Sequence, residues 1–112
     1  MKTKKPDSFE RAHSQIEQLR NEVSVLSKNK PDNPINKFKL KLINEKLNEA
    51  NALLTGGYKP FKDFTVFNEE DLPSNSDVVM ILSQYLDSLK AWQRAHRPSA
   101  DLLGIGIPDL NQ

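Results

Sequence analysis

The sequence predicts an all-α protein, a three-helix bundle built on an antiparallel helical hairpin, and three observations support this prediction. Two consecutive stretches carry apolar residues spaced alternately three and four positions apart, which is the period of an amphipathic helix. A short segment with two prolines separates them, and a third amphipathic stretch follows later in the chain. We expect a single helical domain over residues 1–97 and an irregular C-terminal tail over residues 98–112.

The first predicted helix begins at Asp7 or Ser8, because either side chain can accept hydrogen bonds from the free amides of a helix N-terminus. It ends before Pro31, where Lys28 and Lys30 suit the negative end of the helix dipole. Its apolar stripe consists of Phe9, Ala12, Ile16, Leu19, Val23 and Leu26. A stripe this narrow predicts that only one face of the helix is buried.

The second predicted helix runs from about Ile35 to Leu54. Asn33 is the expected N-cap and Pro34 the first helical residue, a position where the missing amide of proline costs least. Gly56 and Gly57 end the helix, since glycine tolerates the left-handed conformation that closes a helix. The apolar stripe is Leu40, Ile43, Leu47, Ala50 and Leu54. Two helices of similar length and a short loop between them predict antiparallel packing.

The third predicted helix starts at Ser74 or Ser76, with Asp77 in its first turn, and it cannot continue past Pro98. Its apolar face is wide and consists of Val78, Leu82, Tyr85, Leu89 and Trp92, with Val79, Leu86 and Gln93 beside them. Such a face fits a groove between two other helices, which favours a three-helix bundle. The alternative is a hairpin that completes its core as a homo-oligomer of four or six helices.

An aromatic connection, residues 58–73, precedes the third helix. Tyr58, Phe61, Phe64 and Phe67 recur every three residues, and Pro60 disfavours a long helix. We therefore expect an extended strip of rings, with a short strand over residues 64–67 as an alternative. We favour a structural role in which the rings cover the open end of the bundle. The other interpretation is that they bind a protein partner.

The C-terminal tail also contains residues that are candidates for partner binding. Leu102, Leu103, Ile105, Ile107 and Leu110 are too apolar for a solvent-exposed linker. Gly104, Gly106 and Pro108 oppose helix formation. Either the tail folds back on its own bundle, or it docks on another chain as an extended peptide. We predict Leu102, Leu103, Ile105 and Ile107, together with the four rings, as partner-binding residues.

The charge distribution suggests an alternative ligand. The net charge is +1, but residues 1–55 carry eleven Lys and Arg against seven Asp and Glu, whereas residues 56–112 carry five against eight. Candidate nucleic-acid-binding residues around the first loop are Lys28, Lys30, Lys37, Lys39 and Lys41. The near-neutral total charge and the few arginines weigh against this interpretation, and we expect no stacking aromatic residue among the lysines.

No set of residues predicts catalysis. The chain has no cysteine, which excludes disulfides and thiolate chemistry. Glu10 and His13 form one E-x-x-H pair, but a di-iron bundle needs a second pair and more carboxylates, so we expect both on a solvated face. His96, one turn after Trp92, is expected to be an interfacial or capping residue. We predict no catalytic residue, no metal site and no cofactor.

The sequence therefore predicts a noncatalytic protein-interaction module, such as a small adaptor, assembly factor or regulator. Its partner is a protein of unknown identity, with nucleic acid as the alternative ligand. No apolar run approaches the roughly 20 residues that cross a bilayer, so we expect no membrane association. The N-terminus lacks the apolar core of a signal peptide, which makes a cytoplasmic location the default.

Overall fold

A computed structural model describes residues 8–96, and this part of the chain forms three α-helices. They are α1 (Ser8–Asn29), α2 (Lys37–Leu53) and α3 (Asn75–His96). Within these residues the only β-type pairing is an isolated bridge between Pro34 and Ser74, so the alternative of a strand over residues 64–67 is wrong. The predicted all-α three-helix bundle is confirmed. The tail over residues 98–112 lies outside the described residues, and the domain boundary at residue 97 stays a prediction.

Helix α1 packs antiparallel to α3, and this pair forms the most extensive interface between helices. Near the start of α1, the ring of Phe9 stacks on Trp92 in the last turns of α3. At the opposite end, the side-chain amide of Asn75, the first residue of α3, donates a hydrogen bond of 3.0 Å to the carbonyl of Lys30. The start of α1 thus lies beside the end of α3, and the end of α1 lies beside the start of α3.

Helix α2 also runs antiparallel to α1, as the predicted hairpin requires. Ser8 and Arg11 at the start of α1 share a groove with Ala52 and Leu53 at the end of α2. Helices α2 and α3 touch each other little, and the connection over residues 54–74 packs between them. The bundle consequently has two ends. We call the end that holds residues 30–36 and the start of α3 the loop end, and the other the groove end.

The buried core draws on all three predicted stripes. It consists of Phe9, Ile16, Val23, Ile35, Leu40, Ile43, Leu47, Ala50, Leu54, Val78, Ile81, Leu82, Tyr85, Leu86 and Leu89. Leu26 departs from the predicted stripe of α1, because its side chain is 40% exposed. It faces a shallow groove formed largely by polar residues of the loop, where no apolar helix face is available to cover it.

The start of α2 corrects the predicted cap. Helix α2 begins at Lys37, and Asn36 is its N-cap, with its side-chain oxygen accepting a 3.0 Å hydrogen bond from the Lys39 amide. Asn33 is not the cap, because its carbonyl accepts from the Asn75 amide at 2.8 Å. Ile35, which we placed in the helix, lies instead in the loop with its side chain buried.

The other predicted helix boundaries agree more closely with the structure. Gly56 and Gly57 follow α2 with φ angles of 68° and 88°, the left-handed values that favour glycine. Ser74 caps α3, since its hydroxyl oxygen accepts a 3.1 Å hydrogen bond from the Asp77 amide. Ser76, the other candidate, lies inside the helix.

Candidate functional site

The four rings of the aromatic connection are half-buried and packed against the core. Phe64 is their centre, because its ring centroid lies 5.9 Å from that of Phe61, 5.1 Å from Phe67 and 6.4 Å from Tyr85 of α3. Phe64 and Phe67 lie on the side of the core between α2 and α3, whereas Tyr58 lies against His96 at one end of the bundle. Their binding of a partner stays a prediction.

Two asparagines of α2 hold this connection in place. Asn44 is buried and makes a pair of hydrogen bonds with Phe67: its side-chain amide donates to the Phe67 carbonyl at 2.9 Å, and its oxygen accepts from the Phe67 amide at 2.9 Å. Asn51 donates to the Thr65 carbonyl at 2.8 Å. A helix thereby satisfies backbone groups of an irregular segment that has no strand partner.

Tyr85 couples the same anchor to α3. Its hydroxyl donates a 2.7 Å hydrogen bond to the side-chain oxygen of Asn51. Burial raises the pKa of Tyr85, and the hydrogen bond that its hydroxyl donates to Asn51 requires the phenol proton. The protonated hydroxyl is therefore the form that the fold stabilises.

The sequence analysis did not predict that both asparagines anchor the connection, although their positions in the helical period indicated the buried face of α2. Asn44 lies four residues after Leu40 and three before Leu47, which places its side chain on the buried face of α2. Asn51 follows Leu47 by one turn on the same face. A polar residue inside an apolar stripe predicts a buried hydrogen bond, because burial without one is costly.

A row of five rings lies at the groove end. It runs from His13 through Phe9 and Trp92 to His96 and Tyr58, with centroid separations of 5.9, 5.8, 4.3 and 5.7 Å. The His96 Nδ1 also lies 2.9 Å from the Trp92 carbonyl of the same helix; His96 is exposed, and only its ring contact with Tyr58 joins it to another segment. His13 is half-buried against Phe9, and the expectation that it lies on a solvated face is wrong.

An open groove with a volume of about 620 Å³ lies beside this ring row, and we call it the glycine groove. Its lining consists of Asn51, Leu54, Thr55, Gly56, Gly57, Lys59, Phe61 and Lys62. Most of the exposed lining is apolar, and none of the lining residues is acidic. The Gly57 position faces open space, since a Cβ atom added there has no neighbour within 4 Å.

The glycine groove contains only one of the predicted partner-binding residues, Phe61. Tyr58 lies next to it in sequence and contacts His96, the last described residue of α3. Leu102, Leu103, Ile105 and Ile107 lie outside the described residues. The structure therefore brings part of the aromatic connection to a surface with space for a ligand, close to His96, the last described residue of α3.

The predicted lysine cluster lies at the loop end, at the opposite end from the glycine groove. Lys28, Lys30, Lys37 and Lys41 are exposed, and Lys39 is half-buried beside Leu26. Our expectation that no aromatic residue accompanies them is wrong. Phe38 lies between Lys37 and Lys39 and is 69% exposed, and the sequence itself contained this signal.

Comparisons with known proteins identify no relative. No family model, curated protein or solved structure matches this chain. Within residues 8–96, no helix combines the length and apolar character needed to span a bilayer. The same residues contain no group of three or more histidine and carboxylate side chains suited to hold a metal ion.

Proposed function

We propose that this protein is a noncatalytic interaction module that binds a protein partner at the glycine groove. The observation that carries the proposal is the groove itself: an open, mostly apolar surface with lysines at its margin and no acidic residue in its lining. Adaptors, assembly factors and regulators can all bind their partners through such a surface. The partner segment that fits it is apolar and carries aspartate or glutamate.

Packing and hydrogen bonds hold the floor of the groove in place, which favours binding. Leu54 is 1% exposed and belongs to the core, and Asn51 is fixed by its hydrogen bonds to Thr65 and Tyr85. Phe61 packs edge-to-face on Phe64. A preformed surface loses little conformational entropy when a ligand binds, so more of the contact energy contributes to affinity.

The lysines at the margin of the groove favour a partner that carries negative charge. Lys59 and Lys62 are exposed, and their aliphatic stems can lie along apolar ligand atoms while the ammonium groups stay in water. Opposite charges on the partner raise the association rate and select against basic competitors. A segment with leucine or isoleucine side chains flanked by carboxylates meets both requirements.

The test is affinity capture of the tagged full-length chain from extract of its native cells after nuclease treatment. We compare the wild type with Lys59→Glu/Lys62→Glu, a double variant that reverses the charge of the groove margin. We expect a stoichiometric protein bound to the wild type and lost from the variant, with the same helical circular dichroism for both. Unchanged capture by a folded variant would contradict binding at this groove.

A second candidate function is nucleic-acid binding at the loop end, and the exposure of Phe38 favours it. Lysines neutralise phosphates, and a neighbouring exposed ring can stack on an unpaired base. Fluorescence anisotropy with a labelled single-stranded oligonucleotide tests this function. Binding should weaken steeply with salt and be abolished by Lys37→Glu/Lys39→Glu, whereas Phe38→Ala should weaken it at every salt concentration. Salt-independent binding would contradict this function.

A cytoplasmic location is part of the proposed function. Fractionation of native cells with an antibody against the untagged protein tests it, and recovery in a secreted or membrane fraction would contradict it.

A further inference from the structure

We infer that residues 101–107 of the chain itself occupy the glycine groove in the absence of a partner. Leu103 and Ile105 would contact the apolar lining at Leu54 and Phe61, with Asp101 beside the lysines of the margin. This inference rests on the proposed function, because it concerns the same groove, and it adds how partner binding there is regulated. A partner with the same chemistry has to displace the segment before it binds.

The described part of the chain ends close to the groove. Helix α3 is described up to His96, whose ring contacts Tyr58, and Tyr58 directly follows the groove residues Gly56 and Gly57. Only residues 97–101 lie between His96 and Leu102. Five extended residues span up to about 16–18 Å, which is ample for a surface that begins next to His96.

The side-chain pattern of the segment matches an open apolar groove. Leu103, Ile105 and Ile107 alternate with Gly104 and Gly106, so an extended backbone places the three aliphatic side chains on one face. The glycines between them carry no side chain.

The charges of the two surfaces are opposite. Residues 98–112 contain Asp101 and Asp109 and no lysine or arginine. The groove margin carries Lys59 and Lys62, with no carboxylate in the lining. Covalent attachment also favours this occupant, because a short tether raises the effective concentration of a segment to the millimolar range. A weak intrinsic affinity is therefore sufficient to fill the groove.

The four glycines of this chain allow a selective test, because two lie in the groove and two in the segment. Full-length protein labelled with ¹⁵N at glycine gives amide signals from Gly56, Gly57, Gly104 and Gly106 alone. We compare the wild type with Leu102→Ser/Leu103→Ser and, as the matched control, with Leu110→Ser. We expect all four signals to shift in the double variant, with the Gly56 and Gly57 signals unchanged in the control.

Charge reversal provides a second variant that leaves every apolar residue in place. Lys59→Glu/Lys62→Glu should shift the Gly104 and Gly106 signals toward their positions in Leu102→Ser/Leu103→Ser. Adding Asp101→Lys/Asp109→Lys to it should restore part of the wild-type shift, since opposite charges again face each other. A shift in the fluorescence of Trp92, the one tryptophan of the chain, would reveal a general loss of folding in the charge-reversed variant. In that case the variant with Asp101→Lys/Asp109→Lys added shows whether opposite charges restore the Gly104 and Gly106 signals.

Two outcomes would overturn the inference. If Gly56 and Gly57 give the same signals in the wild type and in the Leu102→Ser/Leu103→Ser variant, the segment does not occupy the groove. If their shifts disappear on dilution, the segment docks on a second copy of the chain instead of its own groove. The inference about residues 101–107 can fail while the proposed function holds. In that case the glycine signals contradict the inference, but Lys59→Glu/Lys62→Glu still loses the captured protein. The two failures are therefore distinguishable.

Discussion

The loop end and the groove end of the bundle are held together by different interactions. At the loop end, main-chain groups of residues 31–35 bond to those around the start of α3: the Ile35 amide donates to the Pro73 carbonyl at 2.8 Å, and the Ser76 amide donates to the Pro31 carbonyl at 3.0 Å. At the groove end, the row of five rings joins α1, α3 and the connection. There, the Trp92 Nε1 and His13 Nε2 atoms are buried with no hydrogen-bond partner among the described residues.

This difference suggests a division of roles between the two ends. Main-chain hydrogen bonds fix the position of a backbone and leave little surface for a ligand. Rings pack with less directional constraint, and the neighbouring glycines leave open space beside them. The loop end therefore fixes the hairpin against α3, while the groove end combines a packed floor with an accessible surface. Substitutions at the two ends should separate stability from binding.

The largest expected effect comes from Ile35→Ala at the loop end. Ile35 is 1% exposed and belongs to the core although it lies in a loop. Removing its side chain leaves a cavity, and we expect the free energy of unfolding to fall by about 2–5 kcal/mol. Urea unfolding followed by circular dichroism measures this change. A loss below about 0.5 kcal/mol, the range of surface substitutions, would show that the loop is not part of the core.

Asn44→Ala should have the next largest effect, because it releases the aromatic connection. The substitution leaves the Phe67 amide and carbonyl without their partners, at a cost of about 1–3 kcal/mol. Asn48→Ala is the matched control, since Asn48 is an exposed asparagine of the same helix. Equal unfolding midpoints for the two variants in urea would contradict the anchoring role of Asn44.

Trp92→Leu tests the contribution of ring contacts at the groove end. Leucine keeps an apolar side chain but loses the stacking on Phe9 and His96. Aromatic pairs contribute about 0.5–1.5 kcal/mol beyond their buried area, and we expect a loss of that size in thermal or urea unfolding. An unchanged free energy of unfolding would mean that the ring row does not hold this end together.

Tyr85 should make the protein sensitive to alkaline pH. Because its pKa is raised in the folded state, the unfolded chain loses the phenol proton first, near the ordinary value of about 10. The stabilising contribution is complete below that pH and is lost as pH rises through the folded-state pKa. Urea unfolding between pH 8 and about 11 should show a steeper loss for the wild type than for Tyr85→Phe. Parallel profiles would contradict this coupling.

Phe38→Ser should have the smallest effect on stability. The ring is 69% exposed and does not belong to the core, so we expect the free energy of unfolding to change by no more than about 0.5 kcal/mol. Differential scanning calorimetry against the wild type measures it. A clear loss of stability would mean that Phe38 has a packing role, which would weaken the case for a ligand at the loop end.

The sequence predicted the helices well because their stripes are regular. Ile16, Leu47 and Leu82 follow the helical period and are fully buried, so local pattern and tertiary packing agree. The cap of α2 was less predictable. Asn33-Pro34 satisfies the local rule for a helix start, but pairing with the residues before α3 draws this segment into an extended conformation. The local sequence does not predict such a contact between residues that are far apart in the chain.

The candidate site was only partly predictable for the same reason. The aromatic repeat marked Phe61 and Tyr58 as unusual, but the repeat does not specify which ring borders open space. That depends on the turn at Gly56 and Gly57 and on the anchoring of Thr65 by Asn51. Phe38 was a different case, since it is visible between two lysines and only its exposure needed the structure.

We expect the groove end, and not the loop end, to be the surface that contacts other protein segments. Site-specific photo-crosslinking in native cells tests it most directly, with the photoreactive residue p-benzoylphenylalanine placed at Lys62 in one full-length chain and at Lys41 in another. We predict that Lys62 yields crosslinks to a protein partner or to residues 101–107 of its own chain, and that Lys41 yields neither. Crosslinks to a protein from Lys41 and none from Lys62 would contradict the account.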